Sequence, residues 1–494
     1  MAALALPAPV IAGDWPDPTS IFDGSEHVAV VTANGWAPSM RVLRSPDLAA
    51  WRLTGEVFRR PPRWVLKNFW APEITRLASG QYAVFYSALP KRKGSWYCVG
   101  VATAARPEGP WRDLGRPLRC GRDGSIDPFP VRDENGRLNL LFKNDGNNFG
   151  RRTYIFGQRL AENGRRLLGS PKRLFGNTAR WEGDVVEAPT VVRRPDGYFY
   201  MLYSGALCCT KDCRYAVGAA RAQTLLGRWR KFAGNPILRN GNGWRCPGHT
   251  GLATDGAGGT TVLFHAYRSG LERLAGRQVL AAPLTFRPDG WPQIGDGRPP
   301  TPAPGAVPNA FDDDFVSPRL SPEWEWPLER VPGIRAGGGL ELRAPVRLRD
   351  GSRANVRYDG GVLAHRISGS RYRAGAVVDR SSLDGEEAAG LAAFRSGSEA
   401  IGISVERAET VVWQRDRNRF RRLAAGRTPA SAQVHLRLTA DGNSYRFQIS
   451  PDGARWRNVG GRLRGRVEES ARVALLSGGE RAAQVRFVSA RLEE

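Results

Sequence analysis

The 494-residue chain has three methionines and five histidines, no lysine beyond Lys231 and no cysteine beyond Cys246. No run of about 18 uninterrupted apolar residues occurs, which excludes a membrane-spanning helix. Charged heptads and a sustained 3.5-residue apolar repeat are also missing, which excludes a coiled coil. Glycine (58) and proline (35) are plentiful, as many turns between short strands require, so mostly β-structure is expected. Hydrophobic residues at 41% and charged residues at 24% are ordinary for a globular protein, and the length suits two large β units.

The formal net charge is +25. Because lysine is scarce, the cations are mostly arginines spread along strands and turns. The densest groups, Lys91-Arg92-Lys93 and the stretch from Arg415 to Arg422, are short. This scatter points away from a nucleic-acid partner and towards a general attraction for polyanionic cell-wall or pectic material. The N-terminal MAALALPAPVIAGDW lacks a basic segment and a full apolar segment. It is therefore not a complete signal peptide, and Ala3-Leu4-Ala5 reads as the tail of one or as a loose arm. The six cysteines, 98, 120, 208, 209, 213 and 246, do not follow zinc-ribbon spacing. Their even number suits a disulfide-bonded, secreted or periplasmic domain. Cys98 and Cys120 flank one strand-turn-strand unit and are the best local pair, and Cys213 is expected to close a short loop with Cys208 or Cys209.

A short signature recurs: Trp15-Pro16-Asp17-Pro18, Trp70-Ala71-Pro72-Glu73, Ile126-Asp127-Pro128, Glu187-Ala188-Pro189 and Gly248-His249-Thr250. An aromatic-rich apolar run follows each, as in 82–86, 138–142, 198–203 and 261–267. A period of about 60 residues with about four strands per unit indicates a five-bladed β-propeller over residues 1–298. Residues 299–310, rich in proline, glycine and alanine, read as a linker. From 311 to 494 the runs alternate in and out, as at 434–438 and 445–449, which indicates a β-sandwich. SPDGARW at 450–456 reads as a hairpin turn followed by a packed tryptophan.

The first strand of each blade lines the axis of a propeller, so Asp17, Asp127 and Glu187 are expected to converge on one pocket. The proline after each signature is expected to hold the preceding residue extended. Three carboxylates in one pocket cannot all keep ordinary pKa values, and separate acid and base roles follow, as glycoside hydrolysis requires.

The order WPDP, WAPE, SIDP, WEGDVVEAP, GHTG closely resembles glycoside hydrolase family 43, with supporting context in SPDLAAW (45–51), LLFKNDGN (140–147) and YAVGAARA (215–222). The resemblance covers the first 298 residues. It implies single-step inversion, with Asp17 as general base, Glu187 as general acid and Asp127 as the carboxylate that raises and orients the acid. It also implies that Arg277 faces Asp127, keeping it ionised while Glu187 stays protonated. His249 is implied near the channel, where it would help hold a hydrated structural calcium ion; no cofactor is required. Trp36, Phe69 and Trp70 are expected to form an aromatic platform for a sugar ring. His265, Trp181, Trp244 and Trp291 are expected to pack structurally. DDDFVSPRLSPEWEW (312–326) resembles the concanavalin-like domain that follows the propeller in several xylosidases and arabinofuranosidases of this family. The expected substrate is arabinan, arabinoxylan or xylan, from which arabinofuranose or xylose is released by a monomer with no membrane or nucleic-acid partner. Exo action is favoured because the sandwich and the 205–214 loop would block one wall. The alternatives are an endo-arabinanase and a non-catalytic carbohydrate-binding propeller.

Overall fold

In the computed structural model, the described residues are all except 1–5, 93–95, 211, 255–258, 271–273, 304–309, 346–357, 418, 466, 468 and 480–482. Ala3-Leu4-Ala5, Lys93 and the middle of the expected linker lie outside them. The chain divides into two compact units. One comprises 1–11, 15–269 and 277–306; the other comprises 12–14, 270–276 and 307–494.

The first unit is a five-bladed propeller. Its blades begin with the strands Thr19–Phe22, Val65–Arg76, Ile126–Arg132, Val186–Arg193 and Trp244–Thr254, and each blade is an antiparallel sheet whose strands follow chain order, with Trp36–Ala37 left out of the first. The five first strands touch one another pairwise in a closed ring. The segment before the first blade ties back to the last: Val10 N–H and Trp15 N–H donate to the carbonyls of Val279 and Arg277, both at 2.9 Å. The second strands are buried on both faces, as in Tyr82–Pro90 and Phe199–Gly205, so they read as continuous apolar runs.

The second unit is a β-sandwich. A nine-stranded sheet includes Gln484–Glu493, Arg371–Asp379, Gln433–Asp441 and Ser444–Ser450. A six-stranded sheet includes Gly361–Arg366, Arg472–Gly478 and Ala388–Ser396. The expected alternation is present: Val434, Leu436 and Leu438 are buried, with His435 and Arg437 between them on the other face.

The disulfides correct one expectation. Cys98 bonds Cys120, as the local reading held, but Cys213 bonds Cys246 and the adjacent Cys208 and Cys209 bond each other. Cys246 is the third residue of the fifth blade's first strand and packs with Cys213, Tyr215 and Tyr267 in one apolar cluster, with Cα atoms of the pair 6.0 Å apart. That contact joins neighbouring blades and is invisible to sequence separation.

Candidate active site

One residue in each blade's first turn of chain carries the site. Asp17, Ala71, Asp127, Ala188 and His249 all have left-handed backbones, with φ between 47° and 55°. In the last four blades each sits where the strand register slips. The expectation that a following proline holds these residues extended is thus overturned. The reason is a ring of hydrogen bonds that over-determines the bulge. Asp17 N–H donates to His265 Nδ1 (3.2 Å) and Ala71 N–H to Thr32 Oγ1 (2.7 Å). Asp127 N–H donates to Ser87 Oγ (3.1 Å), Ala188 N–H to Asp127 Oδ2 (2.9 Å) and His249 N–H to Ser204 Oγ (2.9 Å). Each acceptor belongs to the preceding blade. The next residue is Pro18, Pro72, Pro128 or Pro189 in four blades. Proline has no N–H to leave unpaired where the ladder breaks.

This ring also corrects the alignment of the signatures. Asp17 and Asp127 occupy the left-handed position, whereas Glu187 stands one residue before it, where the second blade has Trp70. Glutamate's extra methylene serves that position.

The ring is irregular at one place, and that place holds the chemistry. In three blades the acceptor is the second-strand residue paired with the one before the bulge: Ser87 opposite Trp70, Ser204 opposite Glu187 and His265 opposite Gly248. In the third blade the residue opposite Ile126 is Lys143. An ammonium cannot accept, so the Asp127 carboxylate takes the Ala188 N–H instead. Lys143, 1% exposed at its side chain, donates to Glu187 Oε2 (2.8 Å) and to Asp145 Oδ1 (3.2 Å). Asp145 is fixed in turn by Trp96 Nε1–H and Asn148 Nδ2–H, both at 2.7 Å. Tyr215 O–H donates to Glu187 Oε1 (2.7 Å). Its ring explains a glycine of the GHTG signature: a Cβ on Gly248 would fall 2.1 Å from the Tyr215 ring.

The three carboxylates therefore have different surroundings. Burial would raise Asp17, but the Arg277 guanidinium and then the His249 ring outweigh it and hold the carboxyl well below its usual range. Arg277 Nη1 donates to Asp17 Oδ1 at 3.0 Å and Thr32 O–H donates to Asp17 Oδ2 at 2.7 Å. His249 Nδ1 lies 3.4 Å from Asp17 Oδ1. His265, pushed down to about 4 by burial and then by Arg277, is neutral, and its Nδ1 lies 3.2 Å from Asp17 N and 3.0 Å from Asp17 Oδ1. Asp127 is pushed up to about 7, by burial first and then by the Glu187 charge. For Glu187, burial is outweighed by Lys143 and the Tyr215 hydroxyl, so it lies below its usual range. The expected arrangement is reversed here: Arg277 pairs with Asp17, and the resting proton of the Asp127–Glu187 pair lies towards Asp127. The cation sits on Glu187, leaving Asp127 buried beside a negative neighbour. A fourth carboxyl, Glu73, is raised to about 8 by burial and adds no negative charge at neutral pH.

The aromatic expectations divide. Phe69 is 0% exposed and packs on Phe58 and Tyr86, so it cannot meet a sugar. Trp36 is buried at 6% exposure. Trp70 is half-buried and stacks on Tyr97, with centroids 4.0 Å apart and planes at 22°. The Trp96–Phe149 pair, with Phe149 43% exposed, adds an unforeseen aromatic surface beside Asp145. For a cation near His249 the residues fit poorly. Among the described residues no three His, Cys, Asp or Glu side chains gather as a ligand set, and the neighbouring Asp17 carboxylate already carries the Arg277 guanidinium.

Five blades that bring together an ionised Asp17 and two further buried carboxyls, Asp127 raised by the Glu187 charge, have the makings of a propeller glycosidase. Residues 6–292 match the family model "Glycosyl hydrolases family 43", and residues 312–474 match "Beta xylosidase C-terminal Concanavalin A-like domain". The chain belongs to glycosyl hydrolase family 43, and it is a glycoside hydrolase of inverting mechanism. It is 26% identical over 275 residues to an extracellular endo-alpha-(1->5)-L-arabinanase of Bacillus subtilis, covering 51% of this chain and 79% of the relative. It is 24% identical over 363 residues to a non-reducing end alpha-L-arabinofuranosidase of Bacteroides ovatus, covering 66% of this chain but only 63% of the relative's length. The crystal structure of a GH43 protein of Bacillus licheniformis superposes with a TM-score of 0.81 over 99% of both chains. At 20% identity this shows a shared fold.

Proposed function

We propose that the protein releases arabinofuranose or xylose from the non-reducing ends of arabinan, arabinoxylan or xylan. Asp17 accepts a proton from water as the water oxygen attacks the anomeric carbon. The glycosidic C–O bond breaks, and the leaving oxygen takes the proton supplied through Glu187 from its pair with Asp127. Lys143 and Tyr215 position Glu187, Arg277 and His249 keep Asp17 ionised, and Trp70 on Tyr97 offers a face for the sugar ring. The observation that carries this reading is the unequal partnering of the carboxylates, an ionised Asp17 against a protonated Asp127–Glu187 pair. Catalysis runs on side chains alone, and no step passes through a metal. The protein acts as a monomer in an oxidising, extracytoplasmic compartment, a reading supported by its disulfides and by relatives named as extracellular.

The test is a panel of nitrophenyl glycosides with linear arabinan, run with and without EDTA, with NMR of the first-formed sugar. Release of inverted arabinose or xylose, unaffected by EDTA, is expected. Oligomers from the interior of arabinan would instead establish the endo mode, and no turnover on any substrate would establish a binding protein. A pH profile is also expected. The Asp127–Glu187 pair holds its proton below about pH 7 and loses it above, so kcat/KM falls as pH rises through about 7. Asp17, held low, puts the acid limb well below that point. A basic limb near 9 would exclude the pair as proton source.

A further inference from the structure

On the outer face of the nine-stranded sheet, strand register sets arginines side by side. Arg373 and Arg446 flank Thr439, and Arg491 and Arg437 flank Gly375. Flanking positions are two strand spacings apart, about 10 Å, so the charges repel one another. Arg373 has Glu493 at 3.6 Å, and Arg462 has Asp441 at 3.1 Å. Among the described residues Arg437, Arg446 and Arg491 have no carboxylate within ion-pair distance. Arg437 is held ready: its guanidinium lies 3.6 Å over the Trp456 ring, and Trp456 Nε1–H donates to Gly453 O at 2.8 Å. The 450–456 turn thus acquires a use, because a stacked guanidinium keeps its in-plane N–H groups free for a carboxylate. Burial first, then the charges of Arg373 and Arg491, push Arg437 below the usual arginine range, and Glu493 offsets them only in part.

Arg373, Arg437, Arg446 and Arg462, with Asp441, line a groove of about 330 Å³. A second groove of about 950 Å³ is lined by Arg417, Arg419, Arg421 and Arg464, with Asp416 the one acid among the described lining residues. The two meet, because Ser444 of the first pairs across the strands with Arg464 of the second. We propose that the grooves form one anion-binding track on the C-terminal sandwich, and that it holds a polyuronide, a polysaccharide bearing a carboxylate on successive sugars. Among the described residues no aromatic side chain lines either groove, so they show no stacking platform of the kind single-stranded nucleic-acid sites use. Guanidinium forks suit carboxylates. The track lies wholly in the sandwich unit and does not depend on the catalytic reading.

The test is affinity electrophoresis of the full chain in polygalacturonate, its methyl ester and neutral arabinan, with an oligothymidylate as competitor. Arg437→Gln/Arg446→Gln/Arg464→Gln is expected to weaken polygalacturonate binding about tenfold or more and to flatten its salt dependence. Arg76→Gln/Arg106→Gln/Arg116→Gln, an equal charge change at exposed propeller sites, is expected to weaken it less than about twofold. Unchanged thermal unfolding shows that each variant is folded. If the first triple is not, the single exposed Arg446→Glu gives the same comparison. Equal losses in both triples, equal binding of the methyl ester, or tighter binding of oligothymidylate lost in the same triple would each overturn the proposal.

Discussion

Asp17→Asn is expected to lower kcat/KM by about 10³-fold on every substrate, and Glu187→Gln by about the same only where the leaving group is poor. General acid and base steps contribute on the order of 10²–10⁴-fold each. Water must be deprotonated whatever leaves, so loss of the Asp17 carboxylate is felt equally on aryl and natural glycosides. A nitrophenolate departs with little protonation, so Glu187→Gln keeps much more of its activity on the aryl substrate than on an oligosaccharide. Asp17→Asn also strands Arg277 and His249 without their anion, while Thr32 still has an acceptor in the amide oxygen. Parallel kinetics of both variants on the two substrate types, with NMR of the nascent anomer, make the measurement. Wild-type rates in Asp17→Asn, or a retained anomer, would defeat the assignment.

Lys143→Met is expected to have the second large effect, on two observables at once. The ammonium is buried, and burial alone would lower its pKa, but Glu187, Asp145 and Asp127 outweigh that and hold it well above the usual lysine range. Removing it leaves Glu187 and Asp145 buried without their cation, which costs about 3 kcal/mol of stability and is read as a fall in the unfolding midpoint. The same loss makes ionisation of Glu187 harder, so the shared proton moves towards Glu187 and is released at higher pH. The basic limb of kcat/KM then shifts upward from about 7. A merely structural lysine would lower stability and leave the limb in place. Lys143→Arg, which keeps the charge, is expected to restore the limb more fully than the stability.

How far the sequence reaches is clearest at residues 126–143. The apolar run LNLLFK reads as a buried strand and forms one, with all six residues of Leu138–Lys143 buried. The lysine at its end was the available signal, since a charge at a buried strand position needs a partner, but nothing along the chain says that the partner is Glu187 in the next blade. Tyr215 and Asp145 stayed hidden for the same reason. Phe69 and Trp70 are adjacent, and only the bulge turns one ring into the Phe58–Tyr86 core and the other onto Tyr97.

The sequence by itself determined the five-fold repeat, the all-β class, the apolar strands, the alternation in the sandwich and which blades carry a carboxylate beside a proline. These depend on periodicity and local backbone chemistry, which are properties of neighbours along the chain. Only the tertiary structure decided that Arg277 pairs with Asp17, that Lys143 pairs with Glu187, that Cys213 finds Cys246 and that five residues adopt left-handed backbones. Each of those is a contact between blades, made between groups dozens to hundreds of residues apart. Proton affinity follows the nearest charge and the depth of burial, so where the proton rests is settled by packing across the ring.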